Sequence, residues 1–163
     1  MNRLTITHAA AFLLTLLLDQ ATKLAVAAAL PVYGSISVIP GFFNLVHVRN
    51  KGMAFGMMNR PDSGFFFIFL VVASIAAIVV LGYWYLSRRE SEKFSVSLGI
   101  CLMMGGAVGN LIDRLRLGEV IDFIDLYLGS YHWPAFNIAD MAVSCGALLV
   151  AAGVLRAGKS RSN

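Results

Sequence analysis

The segment FSVSLGICLMMGGAVGNLIDRLRLGEVIDFIDLY, residues 94–127, joins two kinds of sequence that rarely sit together. Residues 94–108 carry no charge, which is typical of a helix inside a lipid bilayer. Residues 109–127 hold four acidic residues and two arginines. Because charged side chains are unfavourable inside lipid, we expect this junction to lie where a membrane span meets the membrane surface.

The whole chain has the composition of a membrane protein. It has 163 residues, of which 58% are hydrophobic and only 13% charged. Four apolar runs reach the roughly 20 residues that a membrane-spanning helix needs; they are about 8–30, 64–86, 94–114 and 136–156. We therefore predict an all-α membrane protein, one integral domain over residues 1–163, with four transmembrane helices.

The two longer loops, about 31–63 and 115–135, differ in pattern. The first contains VYGSISVIP and FFNLVHVRN, whose alternating, β-branched residues predict a small β-sheet at the membrane surface. The second contains EVIDFIDLYLGSYHWP, which is amphipathic and aromatic. We predict a short amphipathic helix within EVIDFIDLY that acts as a lid over a site.

Basic residues predict the orientation of the spans. With four spans, both termini lie on the same side as the loop SRRESEK, and most of the basic residues fall there. The positive-inside rule makes that side cytoplasmic, so both longer loops are expected to be extracytoplasmic. The net charge of +4 is explained by this orientation. Since no nucleic-acid-binding motif is present, we expect no nucleic-acid partner.

Polar residues inside the spans indicate a site near the outer surface. Asp19 and Lys23 are four residues apart on one helical face, which predicts an ion pair that either fixes packing or supports a site. Gly105 and Gly109 form a GxxxG pair that allows close helix approach. One further face of the third span carries a small residue and three polar ones: Gly106, Asn110, Asp113 and Arg114.

Two carboxylates are expected to meet at this outer end. Asp122 follows the third span, and Asp140 lies just inside the fourth, on one face with Asn137 and Ser144. Paired carboxyls can divide labour, one taking a proton from water while the other donates to a carbonyl. The spacing alone leaves proton-coupled transport and a structural polar network open. A metal bound by His132 with both aspartates has no supporting HExxH motif, so we expect no metal and no cofactor.

Five blocks in order give the chain a family resemblance. They are DQATK (19–23), NKGMAFG (50–56), GGAVGNLIDR (105–114), VIDF (120–123) and FNIAD (136–140). Together they resemble the signature blocks of lipoprotein signal peptidase, or signal peptidase II. One departure is Met53, where the family's second block often has alanine.

The resemblance implies a multi-pass aspartic endopeptidase of the bacterial inner membrane, which we expect to be a monomer. Its substrates would be diacylglyceryl-modified prolipoproteins, cut before the lipidated cysteine among membrane lipids. The family's catalytic pair falls on Asp122 and Asp140. Its other polar site residues fall on Asp19, Asn50, Asn110, Arg114 and Asn137. We add Lys23, Gly52 and Asp113 as candidates for substrate binding or support of the site. A non-enzymatic lipopeptide-binding factor and a small proton-coupled transporter are the alternatives.

Overall fold

The computed structural model describes residues 3–52, 64–88 and 93–161. The elements in these ranges are four helices and four strands: α1 (Arg3–Ala29), β1 (Ser35–Ile39), β2 (Phe43–Asn50), α2 (Gly64–Arg88), α3 (Phe94–Leu117), β3 (Val120–Leu128), β4 (Tyr131–His132) and α4 (Ile138–Arg161). Met53 lies outside the described residues.

The four helices of the described residues are each long and apolar enough to cross a membrane, in agreement with the four predicted spans. Their large apolar side chains point outward as well as inward. Phe65 is 80% exposed on α2 and Leu148 is 71% exposed on α4. A helix in water would bury such residues, whereas lipid solvates them. The chain is therefore a multi-pass membrane protein.

Helix α3 is the centre of the bundle, because it contacts each of the other three helices. Glycines on α3 permit this. A Cβ added at Gly105 would lie 2.9 Å from the Phe12 carbonyl oxygen of α1, and one at Gly99 would lie 2.6 Å from the Gly146 carbonyl oxygen of α4. Small residues thus let two neighbouring backbones approach α3 closely.

The strands form one antiparallel sheet in the order β1-β2-β3-β4. Strands β1 and β2 confirm the sheet predicted for the first loop. Connectivity places the sheet at the end of the bundle where α1 and α3 finish and α2 and α4 begin. In the central pair, Val48 lies opposite Asp122, and the register shifts between Leu45 and Val48. That irregularity is a β-bulge beside the strand position of Asp122.

The predicted amphipathic helix in EVIDFIDLY is wrong, and with it the proposed helical lid. Residues 120–128 form β3, which is mostly buried and pairs with β2 over residues 120–126. The apolar residues of this segment fit the periodicity of one face of a helix and also the alternation of a strand. Pairing with a distant strand decided the outcome, and local periodicity does not reveal such a partner.

Candidate active site

Asp122 is a buried carboxylate in the middle of the sheet. Its side chain is 2% exposed and accepts hydrogen bonds from two asparagine amides, Asn50 at 2.8 Å and Asn137 at 2.7 Å. Burial raises the pKa of Asp122 from its ordinary 3.8 to about 6, supported by the nearby Asp140 charge and opposed by the two amides and by Lys23. A carboxyl with this pKa exchanges protons near neutral pH, as a catalytic acid or base must.

Asp140 sits in the first turn of α4, where a reciprocal capping arrangement holds it. The Asn137 side-chain oxygen accepts from the Asp140 backbone N–H at 3.0 Å. In return, the Asp140 carboxylate accepts from the Asn137 backbone N–H at 3.2 Å. This is a capping box with asparagine before the helix and aspartate at its third position. A second amide, Asn110 of α3, donates to Asp140 at 2.8 Å.

Asn137 therefore connects the two aspartates. Its side-chain amide donates to Asp122, its backbone N–H donates to Asp140, and it is fully buried. The same amide contacts the Asn110 side-chain oxygen at 3.3 Å. The structure thus brings the two predicted carboxylates to opposite sides of one asparagine, although they come from a strand and a helix that are separate in the chain.

A second set of charges lies next to this pair. We call Asp19, Lys23 and Asp113 the buried charge cluster. The Lys23 ammonium is 2.8 Å from Asp19 and 2.9 Å from Asp113, and it donates to Asn110 at 2.8 Å. Its three N–H donors are thereby all used. The predicted Asp19–Lys23 pair is confirmed, with Asp113 as a third member.

The buried charge cluster ties together the elements that carry the aspartate pair. Asp19 accepts from the backbone N–H of Ala139 at the start of α4, at 2.9 Å. Asp113 accepts from the backbone N–H of Ile121 in β3, at 3.2 Å. Gln20 was not predicted, yet its amide bonds both carboxylates and the Gly109 carbonyl. A glutamine inside an apolar span was the available signal, since it needs buried partners.

Close backbone approach makes these contacts possible. A Cβ added at Gly109 would overlap the Asp19 carboxylate, and one at Gly106 would overlap the Ala139 carbonyl oxygen. Gly105 and Gly109 therefore both face α1, as the GxxxG pattern predicts. Gly106 instead admits the first turn of α4.

A cavity of about 400 Å³ opens beside Asp140, between α2, α3 and α4. Its lining is mainly apolar, with Leu70 and Val143 among the walls, and its polar part includes Asn110, Arg114 and Asp140. Arg114 lies 3.5 Å from the Ser74 hydroxyl and 3.4 Å from the Asn110 carbonyl. Asp122 is not among the described residues that line it. The space suits a ligand with an apolar part and a polar part that ends at Asp140.

The remaining predicted positions lie around the end of β2. Asn50 binds Asp122 and accepts from the Gly52 backbone N–H at 2.8 Å. Gly52 has φ +95°, a conformation that favours glycine. Asp125 of β3 is also buried, although an acidic residue in a loop between two spans is expected to be solvated. It is 8% exposed and bonds Asn44 and His132, each within 2.9 Å.

Within the described ranges, no three His, Cys, Asp or Glu side chains are grouped as metal ligands. The arrangement is instead that of paired carboxyls, one with a raised pKa, next to a largely apolar cavity. Such a pair can move protons between water, a carbonyl oxygen and a leaving nitrogen. The fold and the site together define a multi-pass membrane protein that carries a pair of carboxyls next to a largely apolar cavity.

Comparisons with known proteins give the family. The family model described as "Signal peptidase (SPase) II" matches residues 11–156. The lipoprotein signal peptidase of Maridesulfovibrio salexigens is 51% identical over 133 residues, covering 82% of this chain and 85% of the relative. That of Syntrophus aciditrophicus is 42% identical over 149 residues, covering 91% and 92%. The chain belongs to the signal peptidase II family.

A solved structure agrees with the fold. A bacterial membrane enzyme determined by the in meso method at 2.3 Å resolution matches with a TM-score of 0.79 and 32% sequence identity. The match covers 92% of this chain and 88% of that one. The helices and the sheet are therefore shared with a membrane enzyme, in agreement with the family assignment.

Proposed function

We propose that this protein is an aspartic endopeptidase that removes the signal peptide from diacylglyceryl-modified prolipoproteins. It cuts before the lipidated cysteine, and Asp122 and Asp140 are its catalytic pair. The observation that carries the assignment of the pair is their common attachment to Asn137. Family membership supports the reaction, since relatives at 42–51% identity are lipoprotein signal peptidases.

In the proposed mechanism the pair shares one proton. The ionised carboxylate takes a proton from water as the water oxygen bonds to the scissile carbonyl carbon. The protonated carboxyl donates to the carbonyl oxygen, which gives a neutral geminal diol. The C–N bond then breaks as its nitrogen takes a proton from one carboxyl, while the other carboxylate takes a proton from a diol hydroxyl, which gives the product carboxyl group and restores the shared proton. Because the two groups titrate together, the resting proton belongs to the pair rather than to one aspartate.

Neutral amides keep the pair in position without neutralising it. Asn50 and Asn137 orient Asp122, while Asn110 orients Asp140. A cation at any of these positions would hold its carboxylate ionised more strongly than an amide does. Asparagine supplies direction with little charge, so the pair keeps a proton available near neutral pH.

The cavity between α2, α3 and α4 is the proposed site of the substrate's lipid-linked end. Its apolar walls suit the diacylglyceryl group, and Asp140, one member of the aspartate pair, is part of its lining. Arg114 is placed to bind a carbonyl or ester oxygen of the substrate. All these groups come from one chain, which supports a monomer as the active unit.

The proposed location is the bacterial inner membrane, with the sheet and the aspartate pair on the extracytoplasmic side. Basic residues Arg88 and Lys93, at the opposite end of α2 and α3, support cytoplasmic termini. Fusions test this orientation. A C-terminal green fluorescent protein is expected to fluoresce and a C-terminal alkaline phosphatase to stay inactive. The reverse pattern would invert the topology.

The reaction is tested with purified protein and a diacylglyceryl-modified precursor, beside the same precursor without lipid. Wild type is expected to cut only the lipidated form. Asp140→Asn is expected to lose cleavage by about 10³-fold or more, since an amide neither takes nor gives the required proton. Asp125→Asn is the matched control, a buried carboxylate in the same strand as Asp122 but outside the pair, and it is expected to cut. Binding without cleavage by wild type would favour a lipopeptide-binding factor instead.

A further inference from the structure

A second, smaller cavity lies on a different face of the bundle from the substrate cavity. It has a volume of about 80 Å³ and is formed by α1, β2, the end of α3 and the start of β3. Three cationic side chains line it, Lys23, Arg49 and Arg116, against one carboxylate, Asp113. The proposed peptidase reaction uses neither arginine.

The two arginines are available to a ligand, whereas Lys23 is not. Lys23 spends its donors on Asp19, Asp113 and Asn110. Arg49 uses its Nε–H on the His47 ring, at 3.1 Å, which leaves four of the five guanidinium donors. Arg116 is exposed and, among the described residues, has no hydrogen-bonded or ionic partner. Two arginines from elements far apart in the chain therefore converge on one cavity.

A buried histidine fixes the direction of Arg49. His47 is 2% exposed, and its Nδ1 lies 2.9 Å from the Leu30 carbonyl oxygen. A carbonyl only accepts, so Nδ1 carries the proton and Nε2 accepts from Arg49. The guanidinium is thus held at the cavity by a side chain that is itself anchored to the end of α1. An arginine with a fixed orientation is suited to an oxyanion.

The depth of this cavity matches the lipid headgroup region. Arg116 is one residue before the end of α3, and β2 and β3 belong to the sheet beyond the helix ends. Below the cavity, Leu24 and Leu17 lie seven residues apart on one face of α1, with exposed fractions of 53% and 63%. A ligand with its anionic group at the arginines could therefore place an apolar part along this strip, which faces the bilayer.

We propose that Arg49 and Arg116 bind the phosphate of an anionic phospholipid, whose acyl chains lie along Leu24 and Leu17 of α1. The apolar strip favours a lipid over a free phosphate. Two unneutralised arginines favour a net-negative headgroup, such as phosphatidylglycerol, over a zwitterionic one. The bound lipid would hold the sheet at the membrane surface, next to Asn50 and the aspartate pair.

The test is native mass spectrometry of the full-length protein with phosphatidylglycerol and with phosphatidylcholine. Wild type is expected to retain phosphatidylglycerol about 20-fold more strongly. Arg49→Gln and Arg116→Gln should each weaken this retention about fivefold, and the double variant should bind both lipids equally. Lys51→Gln is the matched control, because it removes one positive charge from the same end of the molecule outside the cavity, and it should bind as wild type does.

Thermal unfolding of each variant guards against misfolding, since Arg49→Gln leaves the His47 ring without its donor. Arg116→Gln, an exposed position, carries the test if Arg49→Gln unfolds. Equal retention of both lipids by wild type would overturn the proposal. So would an equal loss in Lys51→Gln, which would indicate a general surface-charge effect. Displacement of the lipid by millimolar inorganic phosphate would replace the lipid with a free-anion site.

Discussion

The buried charge cluster and the aspartate pair are neighbours that treat buried carboxylates in opposite ways. In the cluster, Asp19 and Asp113 each bind the Lys23 ammonium directly. In the pair, Asp122 and Asp140 are held by asparagine amides and a backbone N–H. The carboxylates of the buried charge cluster have a directly bound ammonium. Those of the aspartate pair are oriented by hydrogen bonds but have no directly bound cation among the described residues. A directly bound cation makes the cluster a structural unit, whereas amide partners leave the pair able to exchange the proton that the proposed reaction needs.

The largest expected difference between the two regions is in catalysis. Asp122→Asn should lower cleavage of the lipidated precursor by about 10³-fold or more while the protein stays folded, because the pair loses its exchangeable proton. Asp113→Asn should lower cleavage far less and lower the unfolding temperature instead, since it breaks contacts to Lys23 and Ile121. Cleavage rates and thermal unfolding of both variants are measured in the same detergent. An unstable but active Asp122→Asn would reverse the comparison.

Removing the cation should affect stability most. Lys23→Met leaves Asp19 and Asp113 buried together without their counter-charge, which is expected to lower the free energy of unfolding by about 3–5 kcal/mol. Lys51→Met is the control. It removes a 60% exposed lysine whose distance to Glu119 is 3.6 Å, and it should change stability by less than about 1 kcal/mol. Equal effects in a denaturant titration would mean that the cluster is not a structural unit.

The pH dependence of stability distinguishes the regions further. Asp122 has a folded pKa of about 6 against an ordinary 3.8. Burying the protonated carboxyl therefore costs less than burying the carboxylate. The stabilisation that follows from the raised pKa of Asp122 is fully present below about pH 4 and is lost as pH rises through about 6. The difference amounts to about 2–3 kcal/mol. Unfolding measured between pH 4 and pH 7 should show it in wild type and not in Asp122→Asn.

A smaller expected effect separates the two tasks of Asn137. Asn137→Ala loses both the helix cap and the amide that binds Asp122, so stability should fall by about 1 kcal/mol and activity with it. Asn137→Ser keeps a capping oxygen but has no amide. It should regain the unfolding temperature and remain about 10- to 100-fold less active, since Asp122 is no longer oriented. Full recovery of cleavage in Asn137→Ser would show that capping alone is needed.

The sequence is most informative where a rule is local. Four spans follow from run length and composition, and the Asp19–Lys23 pair follows from helical spacing. The Asn137–Asp140 capping box was also readable, because NIAD has a capping residue followed three positions later by an acid. The ion pair and the cap depend on residues within about one helical turn of each other, and a span depends on about 20 consecutive residues.

Non-local partners explain what the sequence analysis missed. Residues 120–128 suit a helix or a strand, and the deciding partner, β2, lies about 70 residues earlier. The burial of Asp125 depends on the same distant strand, since Asn44 of β2 donates a hydrogen bond to it. The Gln20 amide donates to the Gly109 carbonyl of α3, a partner that the sequence near Gln20 does not indicate. Pairing of this kind is set by packing between segments that are far apart in the chain, and local sequence patterns do not reveal it.

The attachment of both aspartates to Asn137 also has a consequence for how the site assembles during synthesis of the chain. Helix α4 is the last element in chain order, and its first turn supplies Asp140 and the asparagine that orients Asp122. During synthesis the earlier helices and the sheet can form while the carboxyls remain apart and undirected. The proposed catalytic pair is therefore assembled in one step, when the fourth helix enters the bundle and its first turn forms, and a chain that still lacks this helix is expected to be inactive.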